Sequence, residues 1–181
     1  MSASLDIDRR EGPRRSRWVR WLGNAALVAA VYLALAYFRG RSGLPTDGDT
    51  PAPAFTLRTL DGQERSLADL AGKTVLLHFW APWCGICRAE VSTLNAVKAD
   101  LAPDQALLTV AAADDVASVR EFMRERELAY PVVMATPEVL AAYGVSAFPT
   151  NYVIDARGRI RSHTVGMTTR WGLKARLGCS R

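Results

Sequence analysis

Val75-Leu76-Leu77-His78-Phe79-Trp80-Ala81-Pro82-Trp83-Cys84-Gly85-Ile86-Cys87 is the stretch from which the fold of this chain is read. The apolar run ending at Trp80 has the length and composition of a buried strand, and Ala89–Ala102 behind it reads as a helix. Two cysteines three positions apart share one helical turn, so their sulfurs can close a disulfide and reopen it. Cys84 falls at the helix N-terminus, where unpaired backbone N–H groups and the helix dipole favour a thiolate. A strand, a short turn and CxxC opening a helix together point to thiol–disulfide exchange. Half a zinc site is the competing reading, but a structural zinc needs four ligands. Only Cys179, His78 and His163 remain beyond the pair, and none forms a second closely spaced pair.

The 181 residues leave room for one domain and an appendage, and 49% hydrophobic with 23% charged residues suits a globular chain. The net charge of +5 does not indicate a nucleic-acid partner. Six arginines (Arg9, Arg10, Arg14, Arg15, Arg17, Arg20) account for it, and the remainder is near neutral with no basic–aromatic motif. Behind them Trp21–Phe38 is almost wholly apolar, broken by Asn24. Such a helix spans roughly 27 Å against a hydrocarbon core of roughly 30 Å. Trp18, Trp21, Tyr37 and Phe38 suit the two interfaces, and the arginines favour a cytoplasmic N-terminus. A cleaved signal peptide is the rival, but Ala36–Gly40 offers no small-x-small site. The expected organisation is a basic cytoplasmic tail (1–20), a single transmembrane anchor (21–38), a linker (39–50) and a redox domain (51–181) outside the inner membrane, in the periplasm of a Gram-negative source.

Gly40–Pro53, rich in Gly, Pro, Ser, Thr and Asp, carries almost no large apolar residue. Phe55–Leu60 then alternates at strand period, Asp61-Gly62 turns, and Gln63–Leu67 returns. Ser66 is placed to cap a short helix ending near Gly72. Beyond the CxxC helix come a strand at Ala106–Ala113, an amphipathic helix at Val116–Leu128 and a short strand at Pro131–Met134. Thr136-Pro137 opens another short helix ending at Gly144. Thr150–Ile154 and Arg159–Val165 form a hairpin, and Thr168 or Thr169 caps a last helix to Leu177. The order β-α-β-α-β-β-α after an extra N-terminal hairpin predicts an α/β fold, a mixed sheet with helices on both faces.

On these residues the chain resembles the thioredoxin-like fold and, within it, the membrane-anchored TlpA/ResA-like family. The likeness is carried by Pro51–Phe55 with Asp61-Gly62, Phe79–Cys87, Phe148-Pro149-Thr150 and Asp155–Gly158, and covers about residues 51 to 177. Gly158–Ser162 and Gly166–Leu173 are similar to the group named suppressor for copper sensitivity D. The resemblance implies a nucleophilic Cys84, a resolving Cys87 and a redox-active disulfide between them, with no other cofactor. It implies a cis peptide before Pro149 that turns the backbone of Phe148 toward an extended substrate, and a substrate contact for Trp83.

Two departures concern tuning. Cytoplasmic thioredoxins carry a buried acid six positions before the first active cysteine; here that position is His78, either a proton relay beneath Cys87 or a core histidine bonded to a neighbour. Glu90, one turn after Cys87, stands where ResA-like proteins carry a glutamate, so it is either the base for Cys87 or a solvated helix residue. Gly85-Ile86 replaces the Gly-Pro of thioredoxins and the Pro-His of strong oxidases, which predicts an intermediate to reducing potential. Arg88 adds positive charge near the sulfurs or is a surface residue. Cys179 and His163 are expected to take no part.

The function expected is that of a membrane-tethered dithiol that reduces or isomerises disulfides of exported proteins, in cytochrome c maturation or copper stress, re-reduced by a membrane electron donor and working as a monomer. The alternative is copper(I) binding on the same fold, but copper-delivery proteins resemble CxxxC with a distant histidine. A peroxidase is a third class, since Pro51–Asp61 also resembles peroxiredoxins. Ala81, three residues before Cys84, lacks the hydroxyl that class carries there.

Overall fold

A computed structural model describes residues 15–40 and 43–180, in two units that divide after Arg41. The first holds one helix, α1 (Arg15–Gly40), of 26 residues. Its side chains are described from 21 to 33 and are exposed at each position. Among the described residues no helix is long and apolar enough to cross a membrane. The anchor expected at 21–38 runs past position 33, outside the described side chains, and the tail at 1–14 lies outside the described residues altogether.

The second unit begins with a hairpin, β1 (Thr56–Arg58) and β2 (Glu64–Ser66), that lies outside the main sheet. At the centre of that sheet β3 (Thr74–Trp80) is buried at all seven positions, as its largely apolar sequence suits a strand covered on both faces, with Thr74 and His78 the polar exceptions. It runs parallel to β4 (Gln105–Ala111), which runs parallel to β5 (Val132–Met134). On its other side it pairs antiparallel with β6 (Thr150–Ile154), which turns back into β7 (Ile160–Val165). The five strands thus stand in the order β5-β4-β3-β6-β7. Successive β3 side chains alternate between the two faces. Leu76 and Trp80 enter a cluster with Val91, Leu94 and Val97 of α2 (Gly85–Ala99), Val119 and Phe122 of α3 (Val116–Arg126), and Leu173 and Leu177 of the last helix, Arg170–Cys179. Val75, Leu77 and Phe79 enter the opposite cluster with Phe55, Leu57 and Tyr143, the last of which follows α4 (Pro137–Ala142). The helix Arg170–Cys179 is α5.

The α/β thioredoxin-like arrangement with an extra hairpin is as expected, and β5 and α4 stand where a short strand at Pro131–Met134 and a short helix from Thr136-Pro137 are expected, β5 forming a sheet edge. Two details differ. Helix α2 ends at Ala99 rather than Ala102, because Pro103 disfavours helical backbone at Ala102. The helix predicted after Ser66 is a single 3-10 turn, Ala68–Leu70. Ser66 still caps it: its hydroxyl accepts from Asp69 N–H, and Asp69 Oδ2 accepts from Ser66 N–H.

The segment expected to be a linker up to residue 50 is bonded to the domain from Leu44 onward. Leu44 N–H donates to the Tyr152 hydroxyl (3.2 Å), which donates to the Tyr143 carbonyl (2.5 Å). Asp47 Oδ1 folds the next residues by accepting from the N–H groups of Asp49 and Thr50. Ile160 N–H then donates to Thr50 O, and Ala52 N–H to Gly158 O. The polar, Gly-rich composition resembles a linker because hydrogen bonds to the backbone order most of this strap, with Leu44 and Ala52 its apolar contacts to the core. Tyr152→Phe removes the acceptor for Leu44 and orphans the Tyr143 carbonyl. It is expected to lower stability by roughly 1–3 kcal/mol in urea unfolding and to abolish exchange protection of the Leu44 amide. Retained protection would contradict the strap.

Candidate active site

Cys84 is the N-cap of α2, in extended backbone, and its Sγ accepts the Cys87 N–H at 3.1 Å. The two cysteines form a disulfide across a Cα–Cα distance of 5.2 Å. The sulfur thus occupies the place where a serine or aspartate oxygen caps other helices, against a backbone donor and the positive end of the dipole. Cys84 reaches solvent at 7% of its surface and Cys87 at 3%. Both sulfurs belong to buried residues, Cys84 the slightly more accessible of the two.

The remaining expected residues gather around the pair. Phe148-Pro149 is a cis peptide, and Pro149 O accepts from Gly166 N–H of the loop after β7. Trp83 is 71% exposed and its ring meets Phe148 edge-on at 5.6 Å, making an aromatic wall beside the disulfide. Ile86 is exposed, and a side chain built at Gly85 would meet nothing within 4 Å. Arg88 lies on the surface with its Nε bonded to Pro82 O and its guanidinium over the Phe122 ring at 5.8 Å. Trp80 is buried and its indole N–H donates to Thr109.

Beneath the pair lie two buried titratable groups. Glu90 follows Cys87 by one turn on the buried face of α2 and is fully buried. Its Oε1 accepts the Thr168 N–H at 2.8 Å, while Oε2 has no partner among the described residues. Burial pushes its carboxyl up to about 7, against a smaller lowering by that hydrogen bond. His78, on the same face of β3 as Leu76 and Trp80, donates from Nδ1 to Asn151 Oδ1 at 2.8 Å. Burial lowers it to about 4, so the ring is neutral at pH 7. The bond to Asn151 is the kind of neighbour contact that the core-histidine reading expects.

Three contributors escaped the sequence reading. Asn151 faces His78 across the β3–β6 ladder; Thr168 reaches Glu90 from a loop 78 positions away; and the Glu90 carboxylate raises the buried Tyr130 hydroxyl, after burial itself. Pro149-Thr150-Asn151 held a signal for Asn151, since strand alternation sets it two residues past the cis-proline. The other two had none. His163 is half-buried and stacks on Tyr152 at 4.6 Å, and Cys179 is a free, exposed thiol. Among the described residues no group of three or more His, Cys, Asp or Glu side chains is placed to hold a metal ion.

Residues 49–163 match the sequence profile of the AhpC/TSA family. The thioredoxin-like protein YneN of Bacillus subtilis (strain 168) is 35% identical over 129 residues, 70% of this chain and 76% of that one. The thiol-disulfide oxidoreductase ResA of Geobacillus thermodenitrificans is 32% identical over 157 residues, 83% of this chain and 87% of that one. Among solved structures, a thioredoxin-family thiol:disulfide interchange protein from Chlorobium tepidum TLS superimposes with a TM-score of 0.66 at 31% identity, covering 72% of this chain and 95% of that one.

Glu90 and His78 couple stability to pH in opposite directions. The Glu90 carboxyl rises from 4.5 to about 7 on folding, so its contribution is whole below pH 4.5 and is lost as pH climbs through about 7. The His78 imidazole falls from 6.5 to about 4, so its contribution is whole above pH 6.5 and is lost as pH drops toward about 4. Over the shared interval the two slopes offset one another. Urea midpoints of the oxidised Glu90→Gln protein are therefore expected to rise from about pH 4 to 6.5 while wild type stays nearly level. A level Glu90→Gln profile would show that the two groups are not held as described.

Proposed function

Because the chain belongs to the AhpC/TSA family and is a thiol–disulfide oxidoreductase of the ResA-like kind, we propose that it reduces or isomerises disulfides of exported proteins from the outer face of the inner membrane. The observation that carries this reading is the Cys84 sulfur serving as the cap of α2 while bonded to Cys87. In the reduced protein the Cys84 thiolate attacks one sulfur of a substrate disulfide. A mixed disulfide forms and the released substrate sulfur takes up a proton. Cys87 then gives its proton to Glu90 and attacks Cys84 Sγ; the second substrate thiol leaves, and two electrons have passed to the substrate. With its carboxyl near 7, Glu90 is poised to accept and return that proton around neutral pH.

Trp83, Phe148 and Pro149 hold the substrate segment, and Gly85, Ile86 and the neutral His78 set the potential. Suitable substrates are apocytochrome CxxCH thiols oxidised before heme attachment, or a target of copper stress. A membrane electron donor restores the dithiol. The anchor is residues 21–38, supported by the arginine-rich stretch before them and by an α1 that is apolar and exposed from 25 to 33.

Insulin reduction tests the chemistry. Wild type is expected to precipitate the B chain, Cys84→Ser to be inert, and Cys87→Ser to accumulate a mixed disulfide; equal activity in wild type and Cys84→Ser sinks the reading. Carbonate extraction of cell membranes tests the anchor. The full chain is expected to stay in the pellet, and release into the supernatant rules out the tether.

A further inference from the structure

A cleft of about 830 Å³ opens beside the disulfide, walled by Trp83 and Phe148 on one side and by the start of α3 on the other. Its far wall is acidic: Asp114, Asp115, Glu121 and Glu125 line it. Arg88 is the one cation among its lining residues, and it is engaged with Pro82 O and the Phe122 ring. Asp115 caps α3 by accepting Ser118 N–H at 2.7 Å, and Glu121 lies 3.7 Å from Arg124 in an exposed pair. Asp114 and Glu125 are exposed and have no partner among the described residues. Acidic and basic residues balance from 43 to 181, so this wall is a local segregation rather than a reflection of overall charge.

The wall is also held in place. Asn95 of α2 donates to the Glu127 carbonyl at the end of α3 and accepts from Ala129 N–H, both at 2.9 Å. Helix α3 and its carboxylates are thereby fixed to the helix that carries the cysteines. Four carboxylates, Asp114 and Glu125 without partners among the described residues, face an aromatic wall across a cleft; such a face concentrates cations from solution and guides their approach.

We infer that this cleft selects its substrate, docking an extended polypeptide segment that carries Lys or Arg beside the disulfide to be reduced. The inference rests on the redox reading of Cys84 and adds the class of polypeptide it serves. An aliphatic stem lies on Trp83 and Phe148 while the cationic head meets the carboxylates across the cleft. A segment bearing Glu or Asp at the same positions is repelled during encounter.

The test uses the reduced full-length protein in neutral detergent and two synthetic peptides with the same internal disulfide, flanked by Lys in one and Glu in the other. At low ionic strength the Lys peptide is expected to be reduced about tenfold faster, with the difference shrinking toward parity as salt is added. The triple variant Asp114→Asn/Glu121→Gln/Glu125→Gln is expected to lose most of that preference. Glu125→Gln alone, at an exposed helix position, is expected to narrow it about two- to threefold. Equal rates on both peptides, or a preference that both variants keep, overturn the inference and leave the redox reading standing. No reduction of either peptide overturns both.

Discussion

A sulfur in the capping position of a helix is the constraint around which this domain is arranged. Cys84 Sγ takes the Cys87 N–H only because the chain leaves β3 at Trp80, turns through Ala81-Pro82-Trp83 and enters α2 at Gly85. That path is secured where β3 is buried on both faces, with Leu76 and Trp80 under α2 and Leu77 and Phe79 against the opposite cluster. Cys84 N–H also bonds back to Ala81 O, closing the turn. The reactive sulfur is thus set by a strand buried at all seven positions, and loosening β3 would move it away from the Cys87 N–H and the helix end that stabilise its charge.

The second tension lies beneath the site. Glu90, His78 and Asn151 occupy the sheet face that otherwise holds leucines, valines and aromatic rings. Two of their atoms, Glu90 Oε2 and Asn151 Nδ2, are buried without partners among the described residues, an arrangement that lowers stability. Of the two titratable groups only Glu90, raised to about 7, changes protonation near neutral pH; the imidazole, lowered to about 4, stays neutral there. The Thr168 N–H explains why the carboxyl is not pushed higher still: it bonds Oε1 and pulls against burial.

The architecture was legible wherever one kind of pattern ruled locally. The largely apolar run of β3, the Thr136-Pro137 helix start and the Asp155–Gly158 turn each declare themselves within a few residues, as do CxxC and Phe148-Pro149-Thr150. Features that depend on distant partners were not legible. Leu44 looks like one residue of a polar linker until Tyr152, 108 positions on, supplies its acceptor. Glu90 could be read as solvated because a helix period alone does not say that α5 and the β7 loop cover that face. His78 was open for the same reason, its partner Asn151 lying 73 positions on. The acidic cleft is assembled from the β4–α3 loop and α3, with its aromatic wall from two other segments, so no linear charge run announces it.

The dipeptide between the cysteines has a different standing from everything around it. Ile86 points into solvent, and Gly85 has open space where a side chain would go. Neither residue is claimed by packing, by a hydrogen-bond partner or by an unusual backbone angle. The immediate surroundings of the sulfurs on the solvent side are therefore set by two residues on which the scaffold does not depend. A replacement at either position would meet no steric opposition from the interior.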